Sequence, residues 1–281
     1  MATFTNQARL SYGGNVALSN ITFGEILDTV TAVKTPVSVA YAPDGDVTYS
    51  LSLVNSGTTD INGITVTDNL GEYNADAGNV FPLDYREGTV RLFIDGVLQP
   101  APAVTANQPL TISGINLPAG SNAILIYEAT PNEFTPLEQG SIINNQATVT
   151  SADLVAPITT AATLPVEVAP ALAILKSISP VAVRDNSRIT YTFTIQNTGN
   201  EAVTDAVIND TFAPRLSNLA VTYNGTQWTS PAQYTYNDAT GVFATNAGQI
   251  TVPAATYNQD ETTGVITTVP GTATVTVTGT I

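Results

Sequence analysis

The sequence has no cysteine and no histidine. Their absence removes disulfides, thiol chemistry, zinc sites built on those ligands and every histidine-based catalytic triad at once. Charge is also scarce: Asp, Glu, Lys and Arg together make up 11% of the chain, less than half the usual share. Only 8 of the 281 residues are basic, against 23 acidic ones, for a net charge of −15. Nucleic acid and anionic membrane surfaces are bound through basic patches, so neither is an expected partner. The simplest consequence of the acidity is solubility. No run of 18 apolar residues is present, so no membrane-spanning helix is expected. The opening MATFTNQARLSYGG has neither the basic start nor the apolar run of a secretory signal. No sorting or lipidation signal is read at the other end. If the protein reaches a surface, it does so without such signals; release of a mother cell's contents onto a spore is one such route.

What the chain does have is a hydrophobic content of 43%, with a polar complement drawn from Thr, Ser, Asn and Gln. β-Branched side chains suit a pleated, half-buried surface. Segments such as DVTYSLSLV (46–54), AILIYEAT (123–130), RITYTFTIQ (188–196) and ATVTVTGT (273–280) alternate or run apolar. Turn clusters NSG (55–57), DGV (95–97), PAG (118–120) and NTG (197–199) separate them. No long window has helical spacing. The expected fold is all-β, two tandem immunoglobulin-like sandwiches.

An internal repeat organises the chain. With Lys34 placed on Lys176, Thr48-Tyr49 falls on Thr190-Tyr191, Asn55-Ser-Gly57 on Asn197-Thr-Gly199, and Asp68 on Asp210. VTYSLSLVNSG and ITYTFTIQNTG read as the same hairpin, and residues 118–130 correspond to 270–281 after a small gap. The first repeat continues into a further strand, SIINNQATVTSA (141–152); the second has no such strand after Ile281. A candidate for it stands at the other end: FTNQARLSY (4–12) shares Asn-Gln-Ala in register with INNQATVTS (143–151). The division read here is an N-terminal donor strand (1–12), a linker (13–26), a complete sandwich (27–160) and an incomplete one (161–281).

A sandwich lacking an edge strand exposes unpaired backbone and apolar core. A strand from another copy can fill it, and head-to-tail contacts that do not close produce filaments. Fold-back of the same strand into its own second domain is the alternative, since a 14-residue linker spans roughly 45 Å when extended. Coincidence of a three-residue match is another.

The chain has only two lysines, Lys34 and Lys176, at equivalent repeat positions with apolar neighbours. A buried lysine is pushed toward the neutral amine, which is a nucleophile. In this topology the first and last strands lie side by side, which brings Asn145 toward Lys34. A buried carboxylic acid that keeps its proton can polarise the amide and shuttle protons. The products would be a Lys–Asn isopeptide bond and ammonia. Asp68 is the acid that recurs, as Asp210; Glu128 competes in the first domain, but its counterpart is read as Gly279. Asn144 competes as the amide, yet points to the opposite face of its strand. The recurrent sets are therefore Lys34, Asp68 and Asn145 within one domain, and Lys176, Asp210 and Asn6 between subunits. A plain Lys–Asp ion pair would also explain the recurrence.

ITYTFTIQNTGNEAVTDAVINDTF and INNQATVTSA resemble the widespread prokaryotic surface repeat known as domain of unknown function eleven, over roughly residues 27–160 and 165–281. That resemblance implies an immunoglobulin-like fold, a cell-surface setting and a strand-to-strand isopeptide bond at Lys34 and Asn145. The second repeat departs from the pattern by lacking its terminal strand, so a bond there depends on Asn6. In size and layout the chain is also similar to the subunits of clostridial ribbon-like spore appendages. The expected function is a structural filament subunit on an extracellular or spore surface, self-assembling by donor-strand complementation and associated with an anchor protein. No cofactor, metal or metabolic activity is expected beyond self-crosslinking.

Two other readings have some support in the residues. PDGD (43–46) and DNLGEYNAD (68–76) offer oxygen ligands for calcium, without the spacing of a helix–loop–helix site. Trp228, Tyr234 and Tyr236 could form an aromatic platform for glycans, which would make the chain a monomeric adhesin.

Overall fold

The computed structural model describes residues 2–26 and 29–281, and all its regular elements are strands. They divide into two compact units, residues 1–135 with 142–165, and 136–141 with 166–281. The expected start of the first sandwich, at residue 27, lies outside the described residues. Its end moves from residue 160 to 165, because strand Ile158–Pro165 pairs along its length with Ile142–Thr150.

The main strands are β1 (Ala2–Asn6), β2 (Arg9–Tyr12), β3 (Asn15–Leu18), β4 (Thr22–Ile26), β5 (Val30–Pro36), β6 (Val47–Asn55), β7 (Ile61–Asp68), β8 (Leu110–Leu117), β9 (Asn122–Pro131), β10 (Ile142–Thr150) and β11 (Ile158–Pro165). In unit 1, one sheet runs β9-β6-β5, extended beyond β9 by the ribbon Arg91–Ile94/Val97–Gln99. The facing sheet runs β8-β7-β10-β11, with Ala103–Asn107 outside β8. β6 and β10 bury alternate residues, as period-two geometry requires: Val47, Tyr49, Leu51 and Leu53 on β6, and Ile143, Asn145, Ala147 and Val149 on β10. Two inner faces meeting this way form the core of an immunoglobulin-like sandwich.

Unit 2 contains β12 (Leu172–Ser179), β13 (Arg188–Asn197), β14 (Val203–Ala206), β15 (Asn209–Thr211), β16 (Ser217–Tyr223), β17 (Val242–Thr245), β18 (Ile250–Val252) and β19 (Gly271–Thr280). One sheet runs β12-β13-β19-β16. Opposite it, β14 pairs β18 and β15 pairs β17. In unit 1, β7 is paired on both sides, by β8 and β10. The equivalent β14 and β15 are paired on one side only among the described residues. The second sandwich is therefore the incomplete one, and strands in the places of both β10 and β11 are absent from residues 166–281.

The repeated Asn-x-Gly does not close the hairpin expected from the sequence. It turns the chain from one sheet to the other, from β6 to β7 and from β13 to β14. Asn55 is 1% exposed, and its Nδ2 donates to the carbonyls of Thr59, Leu117 and Pro118, while its Oδ1 accepts from the Gly57 N–H. Asn197 repeats this with the carbonyls of Glu201 and Pro253 and the N–H groups of Gly199 and Ala171. Removing a buried side chain that satisfies several backbone groups costs about 1–3 kcal/mol for each group left unpaired. Asn55→Ala is thus expected to destabilise unit 1 by about 2–4 kcal/mol, measurable as a fall in the urea midpoint without change in slope.

Residues 13–26, read from the sequence as a linker, instead contain β3 and β4. Gly13 and Gly14, both at positive φ, form the two-residue turn joining β2 to β3, the geometry that hairpin twist favours. β1 then pairs with β4, Phe4 facing Gly24 and Asn6 facing Thr22. This N-terminal hairpin leaves Phe4, Leu10, Tyr12, Val16, Leu18 and Phe23 exposed. An isolated two-stranded ribbon is marginally stable in water, so its apolar side chains suit it to a partner.

Candidate crosslinking site

In unit 1 the structure brings together the three residues expected from the sequence. Lys34 lies on β5, Asp68 ends β7, and Asn145 lies on β10; they are 4%, 0% and 0% exposed. Ala147 is directly opposite Asp68 in the ladder. Asn145, two residues along, shares the inward face, whereas Asn144 is exposed on the other.

The Lys34 ammonium is 2.5 Å from Asp68 Oδ2, which also accepts from the Tyr127 hydroxyl. The other carboxylate oxygen accepts from the Leu70 N–H at 2.9 Å. Leu70 is fully buried at φ 50, a left-handed conformation uncommon for a residue with a branched side chain. The turn that follows β7 is stitched to β10 by Asn69, whose N–H donates to the Gln146 carbonyl and whose Oδ1 accepts from the Gln146 N–H. The acid and the neighbour of Asn145 are thereby fixed to one another.

Tyr49 and Tyr127 are paired across β6 and β9, their rings 5.8 Å apart. The Lys34 nitrogen lies 4.7 Å from the Tyr49 ring centre and 5.9 Å from that of Tyr127. This enclosure desolvates the amine and brings its pKa down to about 8, a fall only partly offset by Asp68. Burial pushes both tyrosine hydroxyls up, and each lies near enough to Asn145 to feel its amide. Even so, neither the nitrogen nor the oxygen of the Asn145 side chain makes a hydrogen bond. A buried carboxamide without partners costs about 1–3 kcal/mol per group, and such an atom calls for a chemical reason.

Tyr49 and Tyr127 were not singled out in the sequence. Tyr49 carried a signal, since it repeats as Tyr191. Tyr127 did not, because the gap in the repeat hid its position. The ladders give the register: Tyr127 faces Tyr49, and Val277 faces Tyr191. Glu128 therefore corresponds to Thr278, not Gly279, and its side chain pairs with Arg86 at 3.1 Å instead of reaching Lys34.

In unit 2 Lys176 pairs with Asp210, and its nitrogen lies 4.6 Å from the Tyr191 ring centre and 5.3 Å from that of Phe212. The amine and acid of the first site are reproduced, but 40% of the Lys176 side chain and 19% of that of Asp210 are exposed. Asn6 is exposed on β1. Val277 offers no hydroxyl where unit 1 has Tyr127.

The remaining candidates find other uses. Asp68, in the acidic run considered for calcium, is committed to Lys34, and no group of three or more acidic residues is arranged to hold a metal ion among the described residues. Trp228 and Tyr234 are each 7% exposed within the unit 2 core, with Tyr223 stacked on Trp228 and Tyr234 against Phe243. They do not form a surface platform. Among the described residues no helix is long and apolar enough to cross a membrane.

No protein-family model and no curated protein sequence matches the chain. Among solved structures, it is similar to the major pilin subunit BcpA of Bacillus cereus, at 14% identity over 96% of this chain and 73% of that one, with a TM-score of 0.36. The pilus backbone RrgB from Streptococcus pneumoniae matches at 12% identity over 86% of this chain and 55% of that one, TM-score 0.35. The collagen-binding subdomain ACE19 of the Enterococcus faecalis surface protein ACE matches at 9% identity over 50% of this chain and 99% of that one, TM-score 0.33.

Proposed function

We propose that the chain is the structural subunit of a filament on an extracellular or spore surface. Subunits join head to tail as the N-terminal segment of one copy enters the incomplete sandwich of the next. Lys–Asn isopeptide bonds then seal the sandwich and the junction. The observation that carries this reading is the contrast between equivalent strands. Val30, Ala32, Lys34 and Pro36 on β5 face inward, buried or half-buried; Leu172, Ile174, Lys176 and Ile178 on β12 are exposed. A row of apolar side chains around an amine–acid pair, beside an unpaired sheet edge, suits a donated strand.

The donor fits by face. β10 turns Ile143, Asn145, Ala147 and Val149 inward. Aligned on Asn6, the N-terminal segment offers Phe4, Asn6, Ala8 and Leu10 in the same alternation, and Thr5, Gln7 and Arg9 outward. The amide would thus take the place beside the Lys176–Asp210 pair that Asn145 takes on the inward face with Lys34 and Asp68.

At each site the neutral amine attacks the asparagine Cγ, the C–N bond of the amide breaks, and ammonia leaves carrying the proton that the amine gives up. The acid carries that proton between them. The test is a filament-forming sample boiled in detergent: a ladder of multimers is expected, and monomer alone from intact filaments would overturn the covalent junction.

The proton count predicts the pH dependence of the first bond. Its reactive form, neutral amine with protonated acid, holds the same single proton as the ammonium–carboxylate pair. With Lys34 at about 8, the rate is expected to be flat just below that pH, while the pair holds its single proton, and to fall about tenfold per unit above it, where the pair loses the proton. Chain recovered unfolded from inclusion bodies, its full mass verified first, is refolded at a series of pH values with mass followed in time, which measures it. A rate rising steadily up to pH 8 would show that Asp68 does not supply the proton.

A further inference from the structure

Unit 2 lacks two strands, and the N-terminal segment is a two-stranded hairpin. We infer that the hairpin enters the neighbouring copy whole, β1 with β2 taking the place of β10 and β4 taking the place of β11. This rests on the proposed head-to-tail junction and specifies what crosses it.

In unit 1, of β10 and β11 it is β11 that packs against β5, and the Lys34 N–H donates to Thr160 Oγ1 of β11 at 3.1 Å. A lone strand in the β10 place would pair with β14 and β15 yet leave Leu172, Ile174 and Ile178 largely uncovered. Those residues are 45%, 59% and 37% exposed in the free chain. Covering them takes a strand in the β11 place.

β4 is already paired to β1 as β11 is to β10. Both pairs are antiparallel, Asn145 facing Ala162 and Asn6 facing Thr22. One step along the same inward face, Ile143 faces Leu164, and Phe4 faces Gly24. Two medium side chains are replaced by one large and one absent, which keeps most of the bulk of the pair. The Phe4 ring lies across Gly24, so that a Cβ there would collide with it. Carrying the register two residues back from Thr22 puts Asn20 at the place of Thr160, where its side chain can accept from the Lys176 N–H.

Opening the hairpin would expose the β4 edge and strip β1 of its ladder before it gained another. Entering whole, β1 keeps the β4 ladder and adds one on its free edge, as β10 does between β7 and β11.

A disulfide across the hairpin decides the matter. Thr5 and Phe23 are cross-strand partners on the face away from the groove, and the chain has no other cysteine, so the Thr5→Cys/Phe23→Cys double variant locks β1 to β4 without touching the donated face. The locked protein, its disulfide verified by mass, is expected to give the same ladder with and without reductant. A ladder that appears only after reduction would overturn the two-stranded donor and leave the head-to-tail junction standing. Hydrogen exchange on wild-type filaments reads the same question without substitutions. Residues 22–24 and 174–178 are expected to slow at least about tenfold relative to free chain. Slowing confined to 4–10 and 203–211 would mean a single strand. A wild-type protein that never assembles would remove the junction itself.

Discussion

Lys176→Ala is expected to abolish the boiling-resistant ladder and leave monomer as the only band, although filaments still form. The amine is the nucleophile of the proposed junction, and no second lysine is near enough in the repeat to substitute; the other, Lys34, is buried against Asp68. Donated backbone and apolar contacts are untouched, so non-covalent assembly survives in native buffer and is lost on boiling. Asn6→Ala is expected to give the same pattern, because it removes the amide and keeps the strand. Lys176→Arg sharpens the test: it keeps the positive charge beside Asp210 but its guanidinium stays protonated and does not attack. A Lys176→Arg filament as stable as wild type would show that an ion pair, and no bond, holds the junction.

The second large effect is expected within unit 1. Intact mass of the folded wild-type chain should be lower by about 17 Da, one ammonia, since amine attack on an amide expels it. Asn145→Ala should show no loss. Its stability should fall steeply, because the bond closes a loop on the order of 100 residues, worth about 4–5 kcal/mol in chain-entropy terms. For a unit of this size that corresponds to roughly 10–20 °C in Tm. Asn145→Asp separates chemistry from packing: a carboxylate with a protonated neighbour can still condense, losing water, about 18 Da, in place of ammonia. Full mass in the wild-type protein would leave the buried amide of Asn145 as a packing feature alone.

Much of this architecture was legible in the sequence because the repeat is ungapped where it counts. From Lys34 to Asp68 and from Lys176 to Asp210 nothing is inserted, so strand, corner and acid keep register, and alternation on the segment around Asn145 told its inward face from that of Asn144. Legibility ended where partners depend on the third dimension. Tyr127 became part of the site only through its place opposite Tyr49, and the gap before Val277 misplaced Glu128 by one residue. Asn55 and Asn197 read as hairpin turns because Asn-x-Gly favours turns in general; that each ties carbonyls of a distant loop cannot be seen locally. Residues 13–26 read as a linker because two glycines and short mixed segments resemble one, yet the same glycines supply the positive φ that a two-residue turn requires.

The pairing of both lysines with acids has a practical consequence for handling such a polymer. With both isopeptide bonds made, no lysine amine remains in the described units, and the basic side chains left are guanidinium groups. Aldehyde fixatives and succinimidyl dyes, which act on amines, would find almost nothing to hold on the finished filament, while free subunits would still take label at the half-exposed Lys176. The dye signal would then fall as assembly proceeds, and a visualisation protocol for the fibres would have to rely on carboxylates, in which this acidic chain is rich.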